Sequence, residues 1–174
     1  MSIQVFARLK PGCPFSCSNA SVSFEAQSFN VDGAFDQKAT QQQVYDQCVS
    51  PLVTDVLNGY NAMLFAYGQS GSGKTYSMVG TPNELGMIPL VAGDLLIKDD
   101  CLVSMYLFEI YKEHVYDLLD TENEPLKSTE VPRLYQDLQR ELIRNSSEFV
   151  DKFGTAIDQR RVSETKLNRE STRS

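Results

Sequence analysis

The residues best suited to chemistry form a glycine-rich segment, Gly68-Gln-Ser-Gly-Ser-Gly-Lys-Thr75. It matches the pattern G-x-x-x-x-G-K-[ST], in which the glycines let the backbone curl so that successive N–H groups face one anion. The Lys74 ammonium can reach terminal phosphate oxygens, and the Thr75 hydroxyl is a hard ligand suited to Mg²⁺. We predict that the whole segment binds a nucleoside triphosphate: Gly68, Gln69, Ser70, Gly71, Ser72, Gly73, Lys74 and Thr75. The alternative is a flexible Gly/Ser loop with one exposed lysine.

The elements on either side of this loop must position it. Ala62–Tyr67 is a continuous apolar run, which predicts a strand buried on both faces of a parallel sheet. A helix predicted to begin at Lys74 would direct its positive dipole end to the same anion. A buried strand before the loop and a helix after it are the context that a phosphate loop requires.

A longer helix is predicted before that strand. Thr40 and Gln43 have the spacing of a capping box, and apolar residues then recur at helical spacing from Val44 to Leu57. Pro51 should kink this helix or remove one hydrogen bond.

Strands and helices alternate through the rest of the chain. We predict strands at Ile3–Leu9, Leu102–Ile110 and Val115–Leu119, one or two short strands within residues 13–36, loops at 80–86 and 120–133, and helices at Met87–Ile97 and Ser146–Arg161. The last helix is capped by Asn145 with Glu148, or by Ser146, and its inner face is formed by Phe149, Val150, Phe153, Ala156 and Ile157. The pattern predicts an α/β P-loop NTPase fold, a mostly parallel central sheet with helices on both faces, as one domain over residues 1–174.

Composition limits the partners. The formal net charge of −7 argues against nucleic acid, whose phosphates repel an acidic domain. No apolar run reaches about 18 residues, so no membrane span is expected, and the N-terminus does not resemble a secretory signal. The four cysteines are expected to be free thiols in a reducing cytosol rather than a metal or disulfide site, and the single histidine is His114. The cysteines are Cys13, Cys17, Cys48 and Cys101.

The segment Asn58–Met78, which contains the loop, closely resembles the kinesin motor family. Four further stretches agree in order. Ile3–Pro11 resembles the family's first strand, and residues 35–53 resemble the segment before the loop. Phe108–Leu119 resembles the stretch E-I-Y-N-E-x-V-x-D-L-L, and Asn168–Ser174 resembles the first switch, N-x-x-S-S-R-S-H. The resemblance is weakest at 12–30 and 120–145.

The resemblance implies contacts with the base. Arg8 and Pro11 match positions that flank the adenine in kinesins. Lys10 stands where the family usually has a second arginine, so we expect that contact to be weaker or different. Tyr76 matches an aromatic position that could stack on the base, the alternative being a tyrosine that packs against the sheet.

The resemblance also implies a first-switch segment at 163–174. Ser171 and Thr172 match two hydroxyls that meet the γ-phosphate, the metal and the attacking water. Asn168 matches a switch residue near the nucleotide, and Arg173 an arginine that pairs with a glutamate of the second switch. Without the resemblance, 168–174 would be interpreted as a disordered polar tail.

The implied function is that of a microtubule-stimulated ATPase motor of the cytoplasm and cytoskeleton. ATP or ADP is the implied ligand, with Mg²⁺ held by Thr75 and Thr172, and the implied catalytic residues are Lys74, Thr75, Ser171 and Thr172. One alternative is a truncated or degenerate kinesin-like module that binds partners without motor activity. Another is an unrelated P-loop NTPase.

The second switch of kinesins, D-x-x-G within D-L-A-G-S-E, is not found in the 174 residues. The one D-x-x-G segment, Asp151–Gly154, lies inside a predicted helix and precedes the first switch, so we reject it as a switch. The resemblance thus covers the N-terminal part of a motor domain. We expect this chain alone to bind nucleotide weakly or not at all, with negligible turnover.

Overall fold

The computed structural model describes residues 3–98, 101–120, 124–126 and 136–171, with side chains to residue 160. The chain divides into two compact units, Met1–Asp94 and Leu95–Ser174. Each unit has its own buried apolar residues.

The first unit begins with five short strands. β1 (Phe6–Arg8) pairs in parallel with β5 (Gly33–Phe35), placing Arg8 opposite Phe35. Between β1 and β5 in sequence lies an antiparallel sheet of three strands, β2 (Ser16–Ser18), β3 (Ser21–Phe24) and β4 (Gln27–Asn30). The region 13–36 therefore holds more strands than the one or two predicted.

Two helices follow, α1 (Gln41–Cys48) and α2 (Ser50–Leu57). The capping box is confirmed, because Gln43 N–H donates to Thr40 Oγ1 at 3.2 Å and Thr40 N–H donates to Gln43 Oε1 at 2.9 Å. The single predicted helix divides at Val49, since Pro51 lies in the first turn of α2, where its missing N–H costs nothing. The buried apolar residues of this unit are Val22, Phe35, Val44, Tyr45, Val49, Val53, Met87 and Ala92.

The prediction of a buried strand at Ala62–Tyr67 is wrong for this structure. No strand is formed there, and Met63, Phe65 and Tyr67 are 81%, 71% and 95% exposed. A strand buried on both faces needs hydrogen-bonded neighbours and covering layers, and none of the described strands pairs with this segment. Apolar composition alone could not supply those neighbours.

Beyond the glycine-rich loop, α3 (Lys74–Met78) and α4 (Met87–Leu96) are joined by a hairpin of β6 (Gly80–Thr81) and β7 (Glu84–Leu85), where a loop was predicted. The base of the hairpin is closed by Gly80 and Gly86. A Cβ on Gly80 would lie 2.2 Å from the carbonyl oxygen of Glu84, and one on Gly86 would lie 2.6 Å from the backbone nitrogen of Gly80. Only glycine fits at either position.

The described residues of the second unit form four strands, β8 (Val103–Met105), β9 (Phe108–Tyr111), β10 (His114–Asp117) and β11 (Glu141–Ile143). β9 and β10 form a hairpin, and β8 pairs antiparallel with β11, a strand that the sequence analysis did not predict. The predicted strand Leu102–Ile110 is thus divided into two strands with different partners.

The last helix is α5 (Ser146–Ser171), which continues beyond the predicted end at Arg161. Residues 162–171 contain neither glycine nor proline, so nothing in the sequence stops the helix there. The predicted cap is confirmed, because Glu148 N–H donates to Asn145 Oδ1 at 2.9 Å. Asp151–Gly154 lies within α5, as expected for a segment that is not a switch.

The inner face of α5 is largely as predicted. Phe149, Phe153 and Ala156 are buried, Ile157 is half-buried, and the two phenyl rings stack with centroids 5.1 Å apart. Val150 was placed on this face wrongly, since it is 57% exposed.

Parallel pairing, which the predicted fold requires, is seen between β1 and β5, and the other pairings of the described strands are antiparallel. Within the residues that the structure describes, no helix has the length and apolarity needed to cross a membrane.

Candidate nucleotide-binding site

The glycine-rich loop is curled, as predicted. Ser72 N–H donates to the carbonyl oxygen of Gln69 at 3.2 Å, and Gly71 and Gly73 have φ angles of +74° and +100°. These left-handed conformations favour glycine, because a Cβ would strain the backbone. α3 begins at Lys74 directly after the loop, also as predicted.

Lys74 lies against the loop that precedes it. Its ammonium donates to the carbonyl oxygens of Gly68 and Gln69, each at 2.8 Å. An ammonium has three donors and a flexible stem, so it can exchange such neutral acceptors for phosphate oxygens. Thr75, the next residue, is exposed.

Lys10 also contacts the loop. Its ammonium donates to the carbonyl oxygen of Gly71 at 2.9 Å. The residue that stands where kinesins usually have an arginine is therefore placed at the glycine-rich loop, where it adds a second positive charge.

A hydrogen-bonded cluster connects β1, α1 and α3. Arg8 Nη1 donates to Gln41 Oε1 at 2.6 Å and to Ser77 Oγ at 3.1 Å, and Arg8 Nη2 donates to the carbonyl oxygen of Ala39 at 3.2 Å. Gln41 Nε2 donates to the carbonyl oxygen of Tyr76 at 2.6 Å. Three segments distant in sequence are thereby held together.

Tyr76 connects the cluster to the β6–β7 hairpin. Its ring centroid lies 4.9 Å from the Arg8 guanidinium carbon, a cation–π distance, and its hydroxyl donates to Glu84 Oε2 at 2.7 Å. The hydrogen bond to Glu84, followed by partial burial, raises the pKa of Tyr76 above its usual value. The hydroxyl therefore stays protonated at neutral pH.

One cavity of about 510 Å³ in the first unit joins these features. Its lining includes the predicted site residues Arg8, Pro11, Ser72, Gly73, Lys74 and Tyr76, together with Lys10. The volume lies within the range of small-molecule sites, about 300–1,000 Å³. The structure thus brings the predicted base contacts and the lysine of the loop to one cavity.

The predicted first switch is described only in part. Residues 163–171 are helical, but the side chains of Asn168 and Ser171 lie outside those that the structure describes, as do Thr172 and Arg173 entirely. Their predicted contacts with nucleotide and metal stay predictions.

Gln41 and Glu84 were not predicted from the sequence as residues of this site. Gln41 is only 4% exposed, although a glutamine in the first turn of a helix is usually solvated. Its spacing was an available signal, because Gln41 shares the helical stripe of Val44, Tyr45 and Cys48.

Comparison with known proteins identifies the family. The family profile of the kinesin motor domain matches residues 13–174. The chain belongs to the kinesin motor domain family.

Curated relatives of this kinesin motor domain include the kinesin-like protein KIF22 of Mus musculus, which is 35% identical over 175 residues covering 93% of this chain and 26% of the relative. The kinesin-related protein 3 of Dictyostelium discoideum is 35% identical, with 84% of this chain and 14% of the relative covered. This kinesin chain thus spans about a quarter, or less, of the length of these relatives.

A solved structure of a fast kinesin has the same fold. It superposes with a TM-score of 0.82 at 28% identity, covering 96% of this chain and 55% of that chain. The predicted P-loop NTPase fold is therefore confirmed for this kinesin motor domain, as the matched part of a larger structure.

Proposed function

We propose that this chain is the ATP-binding part of a microtubule-stimulated motor ATPase, with residues 68–75 holding the phosphates. The observation that carries the proposal is the curled loop with the Lys74 ammonium at one cavity with Arg8, Pro11 and Tyr76. A phosphate loop and a cation–aromatic pair at one cavity match the two ends of a nucleotide.

The phosphate end is formed by the loop backbone and Lys74. Its role in catalysis would be to neutralise the charge that develops on the γ-phosphoryl group during attack by water. Lys10, bonded to Gly71, would hold the curve of the loop while adding positive potential.

The base end is formed by Arg8, Pro11 and Tyr76. The Tyr76 ring, restrained from one side by Arg8 and at its hydroxyl by Glu84, offers a flat surface for stacking. Stacking on an aromatic side chain contributes roughly 1–3 kcal/mol per base in nucleic-acid-binding proteins.

The Thr75 hydroxyl fits Mg²⁺, because it is a hard oxygen ligand. It lies at the start of a helix, directly after the glycine-rich loop. Thr172 would be the second protein ligand. The ion, when bound, would neutralise charge on the terminal phosphate oxygens. Ser171 and Asn168 would orient the attacking water and contact the nucleotide, as their match to the first switch implies.

Microtubules are the proposed partner, and the cytoskeleton of the cytoplasm is the proposed location. The solved fast kinesin is described as a structure with implications for ATPase mechanism and interactions with microtubules. Family membership, rather than any surface of this acidic chain, supports the extension of those properties to the protein.

Titration of the 174-residue chain with a fluorescent ADP analogue, with and without Mg²⁺, tests the proposal. We expect weak, saturable binding that excess ATP displaces and that chelation of Mg²⁺ weakens. ATP turnover should be negligible with or without microtubules, because the second-switch sequence is not in these residues. Fluorescence that neither ATP nor Mg²⁺ affects would contradict nucleotide binding by the loop.

A further inference from the structure

We propose that Gln41 is a positioning residue for the base end of the nucleotide site, holding Arg8 and Tyr76 in one arrangement ready for an aromatic base. The inference rests on the proposed function and adds to it a residue behind the cavity. Gln41 is not among the residues that line the cavity, so it would act through the two that are.

The backbone of Gln41 is fixed before its side chain is considered. Gln41 is the first residue of α1, directly after the Thr40 cap, and the reciprocal hydrogen bonds of the capping box hold this turn. The residue is only 4% exposed. A buried amide is tolerated only when its polar atoms are bonded, and both ends of this one are.

The chemistry of its partners fixes the orientation of the Gln41 amide. Arginine only donates hydrogen bonds and a backbone carbonyl only accepts them. Oε1 must therefore face Arg8 and Nε2 must face the Tyr76 carbonyl, as observed at 2.6 Å each. A flipped amide would lose both bonds, so Gln41 sets the distance between Arg8 and the backbone of Tyr76.

The arrangement leaves the charge of Arg8 available. Its acceptors are neutral, namely Gln41 Oε1, Ser77 Oγ and the Ala39 carbonyl, and no ion pair to Arg8 occurs in the part of the chain that the structure describes. A carboxylate in place of the glutamine would compensate that charge. A neutral amide therefore restrains the guanidinium beside the Tyr76 ring while leaving its positive charge uncompensated for a ligand.

A residue needed only for folding would behave differently from a positioning residue. Loss of packing around α1 would weaken the whole site, whereas loss of positioning would weaken recognition of the base alone. The distinguishing probes are ATP, which has a base, and inorganic tripolyphosphate, which does not. Both are measured as competitors of a fluorescent ADP analogue on the 174-residue chain.

In the Gln41→Met variant, which keeps the length of the side chain, we expect the inhibition constant of ATP to rise roughly tenfold, while that of tripolyphosphate changes less than about twofold. Gln41→Asn, a milder variant that keeps a buried amide but cannot reach both partners, should act in the same direction. Gln42→Met, at the exposed neighbouring position, is the matched control and should change neither constant.

Four results would overturn the inference. If both variants at Gln41 weakened the binding of ATP and of tripolyphosphate equally, Gln41 would be a residue needed only for folding. Unchanged ATP binding in Gln41→Met would show that Arg8 and Tyr76 need no such support. If the wild type bound tripolyphosphate as tightly as ATP, the phosphate site would stand without a base site. If it bound neither, the proposed function itself would fail.

Discussion

The ammonium of Lys74 donates a hydrogen bond to the carbonyl oxygen of Gly68 at 2.8 Å, closing the glycine-rich loop on itself. The same ammonium bonds to Gln69 at 2.8 Å. The lysine therefore has two consequences for the loop, since it supplies charge and also restrains the backbone at the start of the curl. Both consequences can be tested by substitution.

Lys74→Ala removes the charge that meets the terminal phosphates. We expect nucleotide affinity to fall roughly 10- to 100-fold, the range for losing a charge-assisted hydrogen bond. Fluorescent ADP titration measures the loss, and Lys38→Ala, at an exposed lysine outside the cavity, is the control. Equal affinity in the wild type and Lys74→Ala would remove Lys74 from the site.

Gly73→Ala tests whether the curl depends on a left-handed backbone. A Cβ at Gly73 would meet no atom within 4 Å, so any cost arises from the φ angle of +100° rather than from a clash. We expect a loss of about 1–2 kcal/mol in the free energy of unfolding, together with weaker nucleotide binding. Denaturant unfolding and titration provide the two measurements.

Gly93→Ala is the matched control for that substitution. Gly93 lies within α4 with equally open space around it and without a left-handed φ angle, so alanine should stabilise the helix by about 0.5–1 kcal/mol. Similar effects at the two positions would mean that the curl of the loop does not need glycine at 73.

The free energy of unfolding should depend on alkaline pH through Tyr45. The residue is 3% exposed and its hydroxyl donates to Asp94 Oδ2 at 2.5 Å. Burial first, and then this hydrogen bond, raises the pKa of Tyr45. The pKa of Tyr45 in the folded protein exceeds its unfolded value of about 10, so the contribution of this hydroxyl to the free energy of unfolding is complete below pH ~10. As the pH rises above ~10, that contribution is lost by about 1.4 kcal/mol per pH unit.

Tyr45→Phe should cost about 1 kcal/mol at neutral pH and should reduce the alkaline slope of the unfolding free energy. Tyr60→Phe, at a residue that is 68% exposed, should leave both quantities unchanged. Denaturant unfolding between pH 8 and about pH 11 compares the three proteins. If Tyr45→Phe kept the wild-type slope, the titrating group would be another residue.

Cys48 and Cys101 should differ in their reaction with thiol reagents. Burial raises the pKa of the Cys48 thiol to about 11, whereas Cys101 is exposed. Since the thiolate is the nucleophile, alkylation at pH 8 should modify Cys101 well before Cys48. Peptide mapping by mass spectrometry after timed exposure to iodoacetamide measures both rates. A comparable rate at Cys48 would indicate that the thiol becomes accessible by opening of α1.

Local signals in the sequence predicted local structure well. The capping box at Thr40, the start of α3 at Lys74 and the cap at Asn145 depend on residues a few positions apart, and all three were predicted correctly. The curl of the glycine-rich loop follows from the same kind of signal. The fold class required more than one local signal: alternating strands and helices predicted an α/β sheet, and the resemblance to a family supported it.

Features that depend on distant partners were predicted less well. Ala62–Tyr67 has the composition of a buried strand, but no described strand pairs with it. Gln41 is buried because Arg8 and Tyr76, 33 and 35 positions away in sequence, bond to its amide. No window of local sequence contains both partners, and only the polar residue on an apolar stripe indicated that something unusual lay there.

The back-to-back glycines at the base of the β6–β7 hairpin determine where this part of the chain can change in length. Gly80 and Gly86 approach too closely to admit side chains, so the end of α3 and the start of α4 are held close together. Extra residues inserted between Thr81 and Glu84 would lengthen the hairpin outward, rung by rung, without displacing either helix. Evolution could therefore diversify this protrusion while leaving the phosphate loop undisturbed.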